Sequence, residues 1–259
     1  MEKSINVNCR GITVAMLLIG LIFVSPVLLT LILSLRFDGA FPTLRQYYEL
    51  LVTDYTFLRF FWNSMFYVVV ITVVCIIISF PLGFLFAKVK FPGRDALFFV
   101  YIIAMMLPFQ ATLLPNYIQL RDFGLLNTPM ALVLPLAFSP FAVFLFRQFI
   151  KTVPSELLDY TSLETSSAFR ILWHAVLTQI KPSVAALSVM VFCESWNMVE
   201  PVLIFAAKNP AIHPLSVRLS DLPPSVSFSA AAVYMYPILM LFLLFKEVLA
   251  SSMEKYRWD

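Results

Sequence analysis

The sequence predicts an all-α integral membrane protein with six transmembrane helices and both termini on the cytoplasmic side. Composition predicts the class: 61% of the 259 residues are hydrophobic, only 13% are charged, and the mean hydropathy is +0.88. Soluble domains carry about 45–50% apolar and about 25% charged residues. The spacing of the charges predicts the number of crossings, and the distribution of Lys and Arg predicts the orientation. The net charge of +3 gives no case for nucleic-acid binding, and three Cys (Cys9, Cys75, Cys193) make no disulfide framework.

A helix crossing a hydrocarbon core of roughly 30 Å needs about 20 apolar residues. Charge-free stretches of 25, 28, 25, 24 and 24 residues lie between Arg10 and Arg36, Arg59 and Lys88, Asp95 and Arg121, Asp122 and Arg147, and Asp221 and Lys246. A sixth, from Lys181 to Lys208, contains Glu194 and Glu200 and reads as a span with polar residues inside it. Each must be helical, because an open strand leaves its backbone unsatisfied in lipid. The first apolar stretch is much longer than the roughly 7–15 residues of a signal peptide and reads as an uncleaved anchor. With the N-terminus inside, the inner segments hold Lys3, Arg10, Lys88, Lys90, Arg94, Arg147, Lys151, Arg170, Lys181, Lys246, Lys255 and Arg257, 12 basic residues against 6 outside.

The connections follow. FPTLRQYYELL, in the outer segment, reads as a short amphipathic helix after a Pro-marked turn. Pro92-Gly93 and the stretch RDFGLLNTP (121–129) mark tight turns. The inner segment 147–182 is longer, and its charges punctuate Leu157, Leu158, Leu163, Phe169, Leu172, Val176 and Leu177, which recur at mixed spacings of three to five and predict two short amphipathic helices with a break near Glu164–Ser167. On residue pattern alone they are either interfacial helices resting on headgroups or a docking surface. The outer segment 207–228 is stiffened by Pro210, Pro214, Pro223 and Pro224. Organised as domains, residues 1–60 form the anchor and first outer segment, 61–250 the transmembrane domain, and 251–259 a cytoplasmic tail.

Chemistry is sparse. No H-E-x-x-H, G-x-S-x-G, P-loop or C-x-x-C occurs. The two His residues, His174 and His213, fall on opposite sides of the membrane. The chain is expected not to be an enzyme and to need no cofactor, so nucleotide-driven transport requires another chain to bind the nucleotide. Glu194 lies 12 residues after Pro182, about 18 Å along a helix and near the bilayer middle. Intramembrane carboxylates usually face the bundle interior or water. Two readings stand for Glu194, Asn197 and Glu200: they line a translocation path, or they fix helix packing. Gln110 and Asn116 are further pathway candidates, with Asn63 and Gln119 beside them.

The sequence resembles the permease subunits of carbohydrate-type ABC importers, in particular the shorter six-span partner of the maltose-type pair. The resemblance runs from about Gly11 to Phe245. It is carried by residues 63–95, by the block MMLPFQATLLPNYIQLRDFGLLNTPMALVLPLAFSPFAVFLFRQFIKTVPSEL (105–157), by Trp196-Asn197, and by a cytoplasmic signature of general form E-A-A-x-x-x-D-G-A. Asp159-Tyr160-Thr161 stand for E-A-A and Glu164-Thr165-Ser166 for D-G-A, with Phe169–Trp173 and Lys181-Pro182 after them. Thr165 replaces the motif Gly, and Thr178 the Pro of the following L-P, which marks a divergent branch. The resemblance implies the type I ABC importer permease fold in a bacterial inner or plasma membrane. It implies a second permease subunit, two cytoplasmic ATPase subunits and an extracytoplasmic solute-binding protein as partners, with a sugar or oligosaccharide as solute. It also decides for docking in the segment 147–182, with Glu156, Leu157, Asp159, Tyr160, Thr161, Glu164, Thr165 and Ser166 meeting the ATPase. The outer loop 207–228 would face the binding protein. The rival class is a stand-alone secondary transporter or channel for a small polar solute, which predicts an inverted repeat and paired intramembrane charges.

Overall fold

The computed structural model describes residues 9–36, 39, 41–53, 55–164, 167 and 170–254. No strand occurs among them. In chain order the helices are α1 (Cys9–Ser34), α2 (Arg45–Tyr48), α3 (Tyr55–Lys88), α4 (Arg94–Met105), α5 (Phe109–Asp122), α6 (Pro129–Ala137), α7 (Pro140–Lys151), α8 (Ser155–Glu164), α9 (Lys181–Trp196), α10 (Glu200–Phe205) and α11 (Ser227–Glu254). A π-helical turn, Glu49–Thr53, continues α2, and another, Ile171–Val176, runs into the helical turn Leu177–Gln179.

Among the described residues, four helical stretches are individually long and apolar enough to cross a membrane: Met16–Ser34, Thr56–Lys88, Pro129–Lys151 and Ser227–Lys246. A fifth crossing requires α4 and α5 together, and these meet at 98°. The uninterrupted span expected between Asp95 and Arg121 is therefore sharply bent. Pro108 causes the break: it has no N–H to donate, and it sits extended at φ −63°, ψ 145° immediately before α5. The span expected from Lys181 to Lys208 is likewise divided. Helix α9 stops at Trp196, residues 197–199 are non-helical, and α10 restarts with Pro201 in its first turn. A milder break at Phe138–Ser139 separates α6 from α7, where the Ser139 hydroxyl accepts from the Ala142 amide and Pro140 opens the new helix.

The chain divides into two compact units, residues 1–58 with 219–236, and residues 59–218 with 237–259. In the first, the buried Gln46 side chain donates to the Leu33 carbonyl (2.9 Å) and the Arg36 carbonyl, and its Oε1 accepts from the Ser229 amide (3.3 Å). One side chain thereby ties the end of α1 and the residues just after it to the start of α11. The second unit holds the main core, with Tyr67, Ile71, Phe80, Leu132, Phe146, Ile150, Val176 and Leu187 buried in one cluster. Its turns follow the expected punctuation. Gly93 takes φ +78° ahead of α4, and Gly124 takes φ +68° in the 121–129 turn.

Helix α3 has 34 residues and extends about 50 Å. It outruns a hydrocarbon core of roughly 30 Å, so its two ends can hold connecting segments on opposite sides. Near its C-terminus α3 approaches α7 closely: a Cβ on Gly83 would lie 2.5 Å from the Phe146 Cβ and 3.0 Å from the Arg147 amide nitrogen.

Candidate functional site

Helix α8 follows Pro154, which favours a chain break there, and its ten residues sort into two faces. Positions 156, 159, 160 and 163 fall on one stripe at helical spacing. Glu156, Asp159, Tyr160 and Leu163 are all exposed, Tyr160 at 72% and Leu163 at 84%. On the other side Leu157 and Leu158 are half-buried and pack against the core, and Val153 just before the helix is buried. Thr161 is half-buried, with its hydroxyl donating to the Leu157 carbonyl (2.8 Å). Two large apolar side chains thus stand beside two carboxylates on a face that the chain's own core does not cover. Glu164 ends the helix. Its side chain, and Thr165 and Ser166 entirely, lie outside the described residues.

The base of α8 is tied to the transmembrane helices by reciprocal caps. The Lys88 ammonium, at the end of α3, donates to the Val153 carbonyl. Arg147, on α7, is 8% exposed, donates through Nε to the Phe86 carbonyl of α3 (3.2 Å) and stacks over the Phe98 ring of α4 at 3.7 Å. Its Nη2 is 3.6 Å from the exposed Asp95 carboxylate. Arg147 thereby satisfies a carbonyl in the last turn of α3, as basic side chains do at helix C-termini, while Lys88 holds the non-helical Val153 carbonyl between α7 and α8. The sequence presents both residues only as basic positions at the inner ends of spans.

A cleft of about 590 Å³ opens among α4, α5, α6, α7 and α9. Phe109, Phe123, Phe138 and Phe141 supply much of its wall, and Asn116, Gln119 and Glu194 supply polar groups. The structure thus brings together Glu194, Asn116 and Gln119 of the expected pathway residues. It places Gln110, Glu200, Asn197 and Asn63 elsewhere. Gln110 donates to both oxygens of Glu200 (3.1 and 3.3 Å), an exposed pair joining the start of α5 to the start of α10. Asn197 folds back onto the Cys193 carbonyl (2.7 Å). Because α9 ends at Trp196, the helical register that would align Asn197 and Glu200 with Glu194 does not continue.

Asn63 has a different task from the one its position in an apolar span suggested. Its amide donates to the Ala211 and His213 carbonyls (both 3.0 Å). Nearby on α3, the Tyr67 hydroxyl donates to the Ile212 carbonyl (2.8 Å) and the Ser64 hydroxyl accepts from the Leu215 amide (2.7 Å). Buried His213 hydrogen-bonds through Nε2 to the Ala206 carbonyl (3.0 Å). Asn127, at φ +63°, donates its amide to the Phe205 carbonyl, accepts from the Lys208 amide at Oδ1 (both 2.8 Å), and accepts from the Asn209 side chain at its carbonyl (3.1 Å). Residues 206–215 are therefore a pre-shaped element, held by polar side chains that sequence spacing alone does not assign.

The profile of the family described as "Binding-protein-dependent transport system inner membrane component" matches residues 79–255. The chain belongs to that family. This permease is a multi-pass component of an inner membrane transport system, and the resemblance to carbohydrate-type ABC importer permeases is shown. It is 26% identical over 226 residues to the arabinooligosaccharides transport system permease protein AraQ of Halalkalibacterium halodurans, covering 85% of this chain and 81% of that one. It is also 26% identical to AraQ of Bacillus subtilis, over 92% of this chain and 86% of that one. A shorter match, 37% identical over 139 residues, links it to the sn-glycerol-3-phosphate transport system permease protein UgpE of Brucella abortus and spans 54% of this chain and 49% of that one. Its fold matches a chain of a bacterial ABC transporter involved in the import of the acidic polysaccharide alginate, with a TM-score of 0.83 and 18% identity, over 96% of this chain and 99% of that one.

Proposed function

We propose that this permease is one of two membrane subunits of an ATP-driven importer for a sugar or oligosaccharide. Similarity along 85–92% of the chain to two permeases named for arabinooligosaccharide transport carries this reading. In it the chain crosses the membrane six times with both termini in the cytoplasm, with α9, the 197–199 break and α10 forming one polar, discontinuous crossing. Helix α8 is the coupling element. Glu156, Asp159, Tyr160 and Leu163 meet a separate cytoplasmic ATPase subunit, while Leu157, Leu158 and Thr161 seat the helix on the permease and Glu164, Thr165 and Ser166 continue the docking surface. The caps at Arg147 and Lys88 make α8, α3 and α4 move together, so that closure of the ATPase pair is converted into a change of access. Residues 206–215, on the outer side, receive an extracytoplasmic binding protein. Glu194 and Asn116 line the solute path, with Gln110, Glu200 and Asn197 at its approaches.

Purification of the tagged protein in detergent, with every co-purifying chain identified, tests the proposal. A second permease, an ATPase subunit and a binding protein are expected. A protein that purifies alone and transports in liposomes without ATP would sink it.

A further inference from the structure

We infer that the cleft favours uncharged or cationic saccharides and disfavours anionic ones. This rests on the reading that the cleft belongs to the solute path. The observation behind it is the sign of the cleft's charge. Among the described residues lining the cleft, Glu194 is the only charged side chain, and no described Lys, Arg or His joins it there. The nearest basic residue along α5, Arg121, lies two positions beyond Gln119 and is paired with Asp122 at 2.9 Å.

The other polar groups fit the same solute. The Thr112 hydroxyl is engaged with the Phe109 carbonyl (2.7 Å), and the Ser139 hydroxyl accepts from the Ala142 amide (3.3 Å). The Asn116 and Gln119 amides and the Glu194 carboxylate, with the Ser139 and Ser195 hydroxyls beside them, line the cleft. Amides donate to and accept from hydroxyl groups, and a carboxylate accepts from them. The phenylalanines offer flat apolar surface to the C–H faces of sugar rings. A carboxylate- or phosphate-bearing solute finds none of the cationic donors that bind such groups, and it meets a like charge in a cleft with low-dielectric walls, where the field is focused rather than screened. Glycerol phosphate and alginate, the solutes named for two of the proteins compared above, are both anions. Selectivity of this chain's cleft runs the other way.

The test is the charge preference of a thiol placed in the cleft. Asn116→Cys, in a Cys9→Ser, Cys193→Ser background that keeps only the buried Cys75, and in membrane vesicles containing the full complex, is treated with methanethiosulfonates bearing a trimethylammonium, a hydroxyl or a sulfonate group. Each rate is divided by the same reagent's rate with free 2-mercaptoethanol. The expected order is cation, neutral, anion, with a cation-to-anion ratio on the order of tenfold or more. Adding Glu194→Gln brings that ratio close to one. A ratio at or below one with Glu194 present, or one unchanged by Glu194→Gln, overturns the inference and leaves the path reading standing. No reaction with any reagent overturns both, because the cleft is then closed to water. Gln119→Cys, one helical turn further along α5, gives the same readout if Asn116→Cys fails to fold.

Discussion

Replacing Gly83 by Ala perturbs the crossing of α3 and α7 at its tightest point. The added Cβ would sit 2.5 Å from the Phe146 Cβ, 3.0 Å from the Arg147 nitrogen and 3.1 Å from the Phe146 carbonyl carbon. Carbon atoms pack at about 3.5–4.0 Å, so the two helices must part by about 1 Å. Two of the three obstructing atoms are backbone and the third is a Cβ, so no side-chain rotation relieves the clash. Overpacking of this kind costs about 1–3 kcal/mol, and a contact with backbone belongs at the upper end. The better helix propensity of Ala returns about 1 kcal/mol. The net expectation is a loss of about 2 kcal/mol. Gly20→Ala is the internal control: nothing lies within 4 Å of its Cβ, so only the propensity gain of about 1 kcal/mol applies. The assay is the thermal unfolding midpoint of the purified protein in detergent. Gly83→Ala should unfold at lower temperature than wild type and Gly20→Ala at or above it. Equal midpoints for the two variants would refute the close approach. The same 1 Å shift lengthens the 3.2 Å bond from Arg147 to the Phe86 carbonyl, so Gly83→Ala should also weaken coupling.

Four further outcomes are expected. Arg147→Met removes the charge-assisted bond to the Phe86 carbonyl and the stacking on Phe98; at about 1.5–3 kcal/mol for the first and about 0.5–2 for the second, a loss of about 2–5 kcal/mol should appear in the same unfolding assay. Phe98→Leu should remove only the smaller share. Asn63→Ala strips the donor from the Ala211 and His213 carbonyls, and at about 1–3 kcal/mol it should speed amide exchange in residues 206–215 on the order of tenfold or more while exchange in α8 stays unchanged. Leu163→Glu, at an 84% exposed position, should leave stability within about 0.5 kcal/mol of wild type yet cut ATPase retention during purification; full retention would remove Leu163 from the docking face.

The membrane class and the positions of most spans were legible because charge is costly in hydrocarbon, so Arg59, Lys88, Asp122 and Arg147 lie close to the ends of the apolar runs. The bends were less legible. Pro81, Pro108 and Pro237 all fall in apolar runs, yet Pro81 and Pro237 are accommodated inside α3 and α11 while Pro108 ends a helix with a 98° turn. Whether neighbouring helices re-satisfy a freed carbonyl is a tertiary matter. Polar residues in apolar runs were ambiguous for the same reason. Asn63 and Asn116 look alike in sequence, but one pins carbonyls of the 206–215 element and the other faces the cleft. Helix α8 was legible as an amphipathic segment, but not its faces: Leu163, grouped by pattern with Leu157 and Leu158, is exposed, while Leu157 and Thr161, expected on the docking face, are half-buried. Nor was the role of Arg147, because capping the Phe86 carbonyl depends on a partner 61 residues away.

The most direct measurement on the central claim is a cross-link from Leu163→Cys on α8 to the ATPase subunit co-purified with the protein. A short bifunctional thiol reagent should join Leu163→Cys to the ATPase in high yield, with the yield changing when ATP is added, while Phe228→Cys at the start of α11 joins nothing. If Leu163→Cys stays unlinked in a complex that still couples ATP hydrolysis to transport, α8 is not the coupling element and the account of this permease is wrong.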